Sequence, residues 1–171
     1  MDTRRRRFEA QALPHLDAAY NLARWLVRSE ADAEDIVQDA MLRAYRAFEG
    51  FRGENIRPWL LAIVRNCWRT RVADGARRET VSTEDAGIAD FVSEDIGPEA
   101  HAAQSSEARR LNMIMALLPN DFREALILRE MEDLSYQEIA QILDVPIGTV
   151  MSRLARARTL VREKWIAGEK Q

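Results

Sequence analysis

The stretch from Leu134 to Arg158, L-S-Y-Q-E-I-A-Q-I-L-D-V-P-I-G-T-V-M-S-R-L-A-R-A-R, constrains the chain more than any other. Ser135 followed three residues on by Glu138 is a capping box, in which the hydroxyl accepts from the Glu138 N–H and the carboxylate reaches back to the cap's own N–H. A helix therefore starts there, with Ile139, Ala140, Ile142 and Leu143 as its apolar stripe. Asp144-Val145-Pro146 interrupts it, because the residue before a proline is pushed out of the helical region. Helical spacing then resumes, with Val150, Leu154, Ala157 and Val161 on one face. Thr149, Ser152, Arg153 and Arg156, at i, i+3, i+4 and i+7, fall on another face.

Two short helices across a tight turn, the second carrying hydroxyl and guanidinium donors, is the layout of a helix-turn-helix whose second helix enters a DNA major groove. Arg pairs bidentately with guanine O6 and N7, and hydroxyls suit base edges or phosphates. The same spacing fits a surface helix pair with a solvated basic face, so the rest of the chain has to decide.

Apolar residues make up 47% and charged residues 31% of the 171, with only 7 Gly and 5 Pro, which predicts an all-α chain. No apolar run approaches the roughly 20 residues of a membrane span, and the Arg4–Arg7 start lacks the apolar core of a signal peptide. A cytoplasmic protein without membrane insertion is expected. Cys67 is the one cysteine, which excludes an internal disulfide, and with His15 and His101 it makes no metal-ligand spacing. Cys67 reads as a packed helix residue.

The net charge of −3 conceals a division along the chain. Residues 1–78 hold 15 Arg against 11 acids, residues 79–106 hold 7 acids and no Lys or Arg, and residues 107–171 balance at 10 of each. A local basic face matters more to nucleic acid than the total does. Residues 79–106, with Gly, Ser, Thr, Pro98 and little periodicity, read as a flexible acidic linker between two small helical domains. His101 is expected to be solvated there.

In the first domain, Leu13, Leu16, Ala19, Tyr20, Ala23 and Leu26 keep near-helical spacing, with Pro14 in a first turn or at an early break. Ser29 or Asp32 caps the next helix, whose acids crowd its start and whose Arg43 and Arg46 sit near its end, as the macrodipole prefers. Ala33, Ile36, Val37, Ala40, Ala44 and Phe48 form its buried stripe. Asp35, Gln38, Asp39 and Leu42 share the opposite face, where a leucine among acids suggests a partner, although a solvated face explains the periodicity equally. Glu49 to Asn55, with two glycines and an aromatic, is a loop. Pro58 suits the first turn of the helix that follows, through Trp59, Leu60, Ile63, Val64 and Cys67 towards Arg71. Arg65, Asn66, Trp68 and Arg69 interleave basic groups with an indole, which suits a strand whose bases stack and whose phosphates need neutralising. A core tryptophan is the alternative, and Trp59 is assigned at least partly to the core. In the second domain, Leu111, Ile114, Met115 and Leu118 form a helix ended by Pro119, and Phe122, Ala125, Leu126 and Arg129 begin another that packs under the helix-turn-helix.

These residues carry a resemblance. V-P-I-G-T-V-M-S-R-L-A-R-A-R closely resembles the minus-35-reading helix-turn-helix, region 4.2, of bacterial extracytoplasmic-function (ECF) sigma factors of the sigma-70 family. D-A-E-D-I-V-Q-D-A-M-L-R-A-Y resembles their region 2.2, and F-R-G-E-N followed by P-W-L-L-A-I-V-R-N resembles the loop and helix of regions 2.3 and 2.4. Together the matches cover roughly Leu13–Arg71 and Leu111–Val161 in the family's order, which chance agreement of one motif does not explain. The resemblance departs at Met151 and Ala155, where relatives can carry longer contacting side chains, so the promoter sequence does not transfer.

What the resemblance implies is a promoter-specificity subunit of RNA polymerase, serving a stress or envelope-signal regulon. Its domain at 1–78 would dock on core polymerase through Asp35, Gln38, Asp39 and Leu42 and melt the minus-10 element through Phe51, Arg52, Asn55, Arg65, Asn66, Trp68 and Arg69. Its domain at 107–171 would read the minus-35 duplex through Thr149, Ser152, Arg153, Arg156 and Arg158. The implied partners are core RNA polymerase, at its β′ clamp and β flap, promoter DNA and an anti-sigma factor; no cofactor or metal is implied. The 79–106 linker would thread polymerase channels, or act only as a tether. No Ser/His/Asp or Cys/His set or phosphate-cradling glycine loop marks an enzyme.

Overall fold

The computed structural model describes residues 2–27, 29–80 and 105–169, and these contain helices and no strand. The helices gather into two compact units, each described by itself. Residues 81–104, most of the expected acidic linker, lie outside the described residues, as does His101.

In the first unit α1 spans Thr3–Ala12, α2 Leu16–Leu26, α3 Glu30–Ala47 and α4 Ile56–Thr80. Asp2 caps α1 by accepting from the Arg4 N–H at 3.0 Å. Pro14 sits in a single 3-10 turn, Leu13–His15, which breaks the expected first helix into α1 and α2. That break turns Leu13 and Leu16 outward, at 51% and 37% exposed, while the expected Ala19, Ala23 and Leu26 pack, joined by Leu22. Ser29, not Asp32, is the cap of α3: its hydroxyl accepts from the Asp32 N–H at 3.3 Å. Ala33, Ile36, Val37, Ala40, Ala44 and Phe48 are all buried. Asn55 accepts from the Arg57 N–H at 3.1 Å where α4 begins. Leu60, Leu61, Val64, Cys67 and Trp68 carry α4 onto α2 and α3. Truncating Leu60 or Leu61, both fully buried, to Ala costs about 2–5 kcal/mol. Beyond Trp68 the helix leaves the core, with every residue from Arg69 to Arg78 exposed, and it runs to Thr80, past the expected start of the linker.

In the second unit α5 spans Ser106–Leu117, α6 Asn120–Glu130, α7 Tyr136–Leu143 and α8 Ile147–Glu169. Ser105 caps α5 through the Ala108 N–H at 3.2 Å, and Leu118, extended before Pro119, ends it. Ile114, Met115, Ile127, Leu128, Leu134, Ile139, Leu154 and Val150 form the core. The far end of α8 is tied to α5 by Arg110, whose guanidinium lies 4.3 Å from the Trp165 ring centroid and donates to the Trp165 carbonyl. Gly168 leaves the room, since a Cβ there would stand 2.7 Å from Arg110 Nη2.

Candidate nucleic-acid interface

The capping box that opens α7 is complete: the Ser135 N–H donates to Glu138 Oε2 at 2.8 Å and the Glu138 N–H donates to Ser135 Oγ at 3.1 Å. The turn to α8 reverses at Asp144, which takes a left-handed conformation, φ 54°, so that the Val145 N–H returns to the Ala140 carbonyl at 3.1 Å. The reversal comes one residue before the position that proline restricts. Pro146 then accepts from the Thr149 and Val150 N–H groups at 3.0 and 3.2 Å, and α8 starts at Ile147.

Val150, Leu154 and Ala157 hold α8 to the core, and Val161 is half-buried. On the outward side Ser152 and Arg156 are exposed, Thr149 and Arg153 half-buried. Arg153 lies 3.6 Å from Asp121 on α6, while among the described residues Arg156 has no hydrogen bond or ion pair. Arg158, expected in the DNA-contacting set, is exposed and paired within the domain. Its Nε and Nη2 both donate to Glu130 Oε1, at 3.2 and 2.7 Å, and the hydrogen bonds to Glu130 and then Tyr136 raise its pKa above the ordinary Arg value. Nine residues after Thr149 it is half a turn away from that residue, and its ion pair braces α8 against α6. Met151, 53% exposed, and Ala155, exposed, extend the open side of the helix.

In the first unit the Phe48–Gly50 turn and the segment Phe51–Asn55 form the expected loop. Phe51 is half-buried against Trp59, ring centroids 4.9 Å apart, and a Cβ on Gly53 would stand 2.8 Å from the Phe51 ring. Arg52 and Asn55 are exposed, and Arg52 folds back to donate to the Glu49 and Phe51 carbonyls. On α4, Asn66 and Arg69 are exposed. Arg65 and Trp68 are each only 5% exposed, so the structure does not present them on the surface with the others. Trp68 lies four residues after Val64 and seven after Leu61, on the buried stripe, and is a core tryptophan, while Trp59 is half-buried as expected.

On α3, Asp35, Gln38 and Leu42 are exposed, Leu42 by 57%. Asp39 is half-buried, 3.1 Å from Arg43, and Asp35 reaches Arg71 at 4.0 Å. Cys67 is buried, and desolvation raises its pKa above the ordinary thiol value, which keeps it protonated. Sequence reading missed two buried acids, Glu124 and Glu132, for which the apolar pattern offers no signal. Among the described residues no helix is long and apolar enough to cross a membrane and no group of metal-ligating side chains occurs.

The family descriptions that match are sigma-70 region 2, over residues 13–78, and sigma-70 region 4, over residues 108–161. The ECF RNA polymerase sigma-E factor of Haemophilus influenzae is 37% identical over 150 residues, covering 84% of this chain and 78% of that one. The RNA polymerase sigma-H factor of Pseudomonas aeruginosa is 34% identical over 164 residues, covering 92% and 85%. Among solved structures, the Bartonella quintana sigma factor RpoE, co-crystallised with the anti-sigma factor NepR, superposes with a TM-score of 0.76 at 28% identity, covering 92% of this chain and 96% of that one. With a region 2 and a region 4 in order along the chain, and relatives matched through both, the chain belongs to the ECF sigma factors of the sigma-70 family.

Proposed function

We propose a division of labour between the two units of this promoter-specificity subunit, which is not itself an enzyme. Residues 1–78 dock on core RNA polymerase and open the minus-10 element, 79–106 link, and 107–171 bind the minus-35 duplex. The observation that carries this is the open side of α8: packing consumes Val150, Leu154 and Ala157, while Ser152, Arg156, Met151 and Ala155 face out. A recognition helix needs that division, because base edges in the major groove are read by side chains that the core does not use. Arg156 is the best-placed base reader, and Arg153, shared with Asp121, suits phosphate.

In the first unit Phe51, Arg52, Asn55, Asn66 and Arg69 are the groups available to an unstacked strand, while Arg65 and Trp68 support the helix beneath them. Unstacking a base costs a few kcal/mol, which a pocket and basic groups recover without covalent chemistry. The outer face of α3, with Leu42 at its centre, supplies the polymerase contact. As in the Bartonella complex, an anti-sigma factor is a further partner, and the site of action is the cytoplasm, where RNA polymerase would be met.

Transcription in vitro with core polymerase and a pool of genomic promoters tests the reading. Initiation at a defined promoter class that depends on this chain is expected. Tight binding to a palindrome without polymerase, and no polymerase-dependent initiation, would instead make it a stand-alone helix-turn-helix repressor.

A further inference from the structure

The run Arg4–Arg7 lies ahead of the matched region 2, which begins at residue 13, and its side chains divide. Arg5 is turned to solvent and paired with Glu9 at 2.7 Å. Arg4 and Arg7 face the end of α3. A helix leaves its last carbonyls without intrahelical donors, and a cation there also meets the negative end of the dipole. Arg4 Nη2 donates to the Tyr45 carbonyl at 2.8 Å and to the Arg46 carbonyl at 3.2 Å. The same guanidinium stands 4.7 Å from the Tyr45 ring centroid and 3.7 Å from the Glu49 carboxylate. Tyr45 answers by donating its hydroxyl to Asp2 Oδ2 at 3.1 Å, the residue that caps α1. Phe8 meets Tyr45 and Phe48 edge-on, each at 5.4 Å, and Arg7 lies 5.8 Å over Phe48.

All of these contacts fall on Tyr45 to Glu49, the base from which the Phe51–Asn55 loop springs. The loop is fastened to that same base from its other side, by the Phe51 N–H donating to the Phe48 carbonyl at 3.1 Å and by Arg52 donating to the Glu49 carbonyl. We infer that α1 is a clamp on the base of the minus-10 loop and that Arg4 is its positioning residue, holding Phe51 and Arg52 where an unstacked base arrives. Arg4 touches no DNA in this role; it acts through Tyr45, Glu49 and Phe48. The inference rests on the minus-10 reading of the loop given above. If α1 served only to fill the core, Phe8 and Ala12, both buried, would suffice, and the charge on Arg4 would be dispensable.

Holoenzyme assembled from the full chain separates these readings. Arg4→Gln is expected to slow open-complex formation on a duplex promoter about tenfold, the scale of losing a charge-assisted hydrogen bond. On a promoter pre-melted across the minus-10 element the defect should shrink to less than about twofold, with core affinity unchanged, because the clamp serves capture and not docking. Hydrogen exchange at the Phe51 amide should quicken while amides within α4 keep their protection. Arg4→Lys, which keeps the charge but loses the planar fork, should fall between. Glu49→Gln, which leaves both carbonyl contacts in place, should give a weaker defect of the same pattern and serves if Arg4→Gln does not fold. Equal defects on duplex and pre-melted templates, lost core affinity, unchanged Phe51 exchange, or no defect at all would overturn the clamp. Phe51→Ala in the same assay reports on the loop itself: if it opens duplex promoters normally, the minus-10 reading falls, whatever Arg4→Gln does.

Discussion

Phe51 rests on Trp59 with ring centroids 4.9 Å apart and planes inclined by 39°, and Gly53 is what lets it stay there. A methyl group at position 53 would come within 2.8 and 2.9 Å of two Phe51 ring carbons, so the ring must leave its place. Gly53→Ala is therefore expected to cost about 0.5–1.5 kcal/mol, the worth of an aromatic pair. It should also slow promoter opening. Thermal melting and open-complex kinetics on a duplex promoter check the two halves; normal opening by a destabilised protein would detach the ring pair from strand capture.

Arg156 and Arg158 sit two residues apart and should behave differently. Arg156→Ala is expected to lose about 1–3 kcal/mol at a single minus-35 base pair and to blur preference there. Arg158→Ala breaks the pair with Glu130, whose side chains are 44% and 50% exposed, so the loss is about 0.2–1 kcal/mol of domain stability, and every promoter weakens alike. A binding series over single base-pair substitutions distinguishes them. A changed base preference in Arg158→Ala would return it to the reading set.

Leu42, 57% exposed on α3, has no core of its own to fill. Leu42→Ser should leave the melting temperature of the first unit nearly unchanged, within about 0.5 kcal/mol, and lower core-polymerase affinity. A pull-down titration with core polymerase decides; undiminished affinity would remove Leu42 from the docking face. Asp39 is a poorer probe, since it is half-buried and also holds Arg43.

His15 carries a pH dependence. Burial first, and the nearby Arg57 charge second, lower its pKa below the ordinary value, so the fold favours the neutral imidazole. The unfolded chain then binds the proton more readily, and the stability that His15 contributes is complete above about pH 6.5 and is lost as pH falls from there towards the lowered folded pKa. His15→Gln should flatten the slope of the melting temperature below about pH 6.5. An unchanged slope would assign that dependence to carboxylates.

Capping and period carried most of the fold in the sequence. Ser135/Glu138 and Ser29 are readable because a cap is a local contract between a side chain and a backbone a few residues away. The α3 stripe is readable because one unbroken period governs it. Where the reading strayed, two signals competed. Pro14 resets the phase between α1 and α2, which turned Leu13 and Leu16 outward. Trp68 belongs both to a run of Arg, Asn and aromatic residues and to the Leu61/Val64 stripe, and burial chose the stripe. The pairing of Arg158 with Glu130, 28 residues away, spans a distance no local pattern bridges. For the same reason nothing near Arg4 announces Tyr45 and Glu49.

On α8 Val150, Leu154 and Ala157 turn inward, Met151, Ser152, Ala155 and Arg156 turn outward, and Thr149 and Arg153 lie half-buried between them. With that outward face as the proposed promoter reader, promoter preference is inherited separately from foldedness. Substitutions at 151 and 155 pass through states that remain folded, since surface changes away from caps and cores shift stability by only about half a kcal/mol. A duplicated copy of this chain can drift towards a new set of genes without first crossing a misfolded intermediate, and two such copies in one cell can become insulated from each other one side chain at a time.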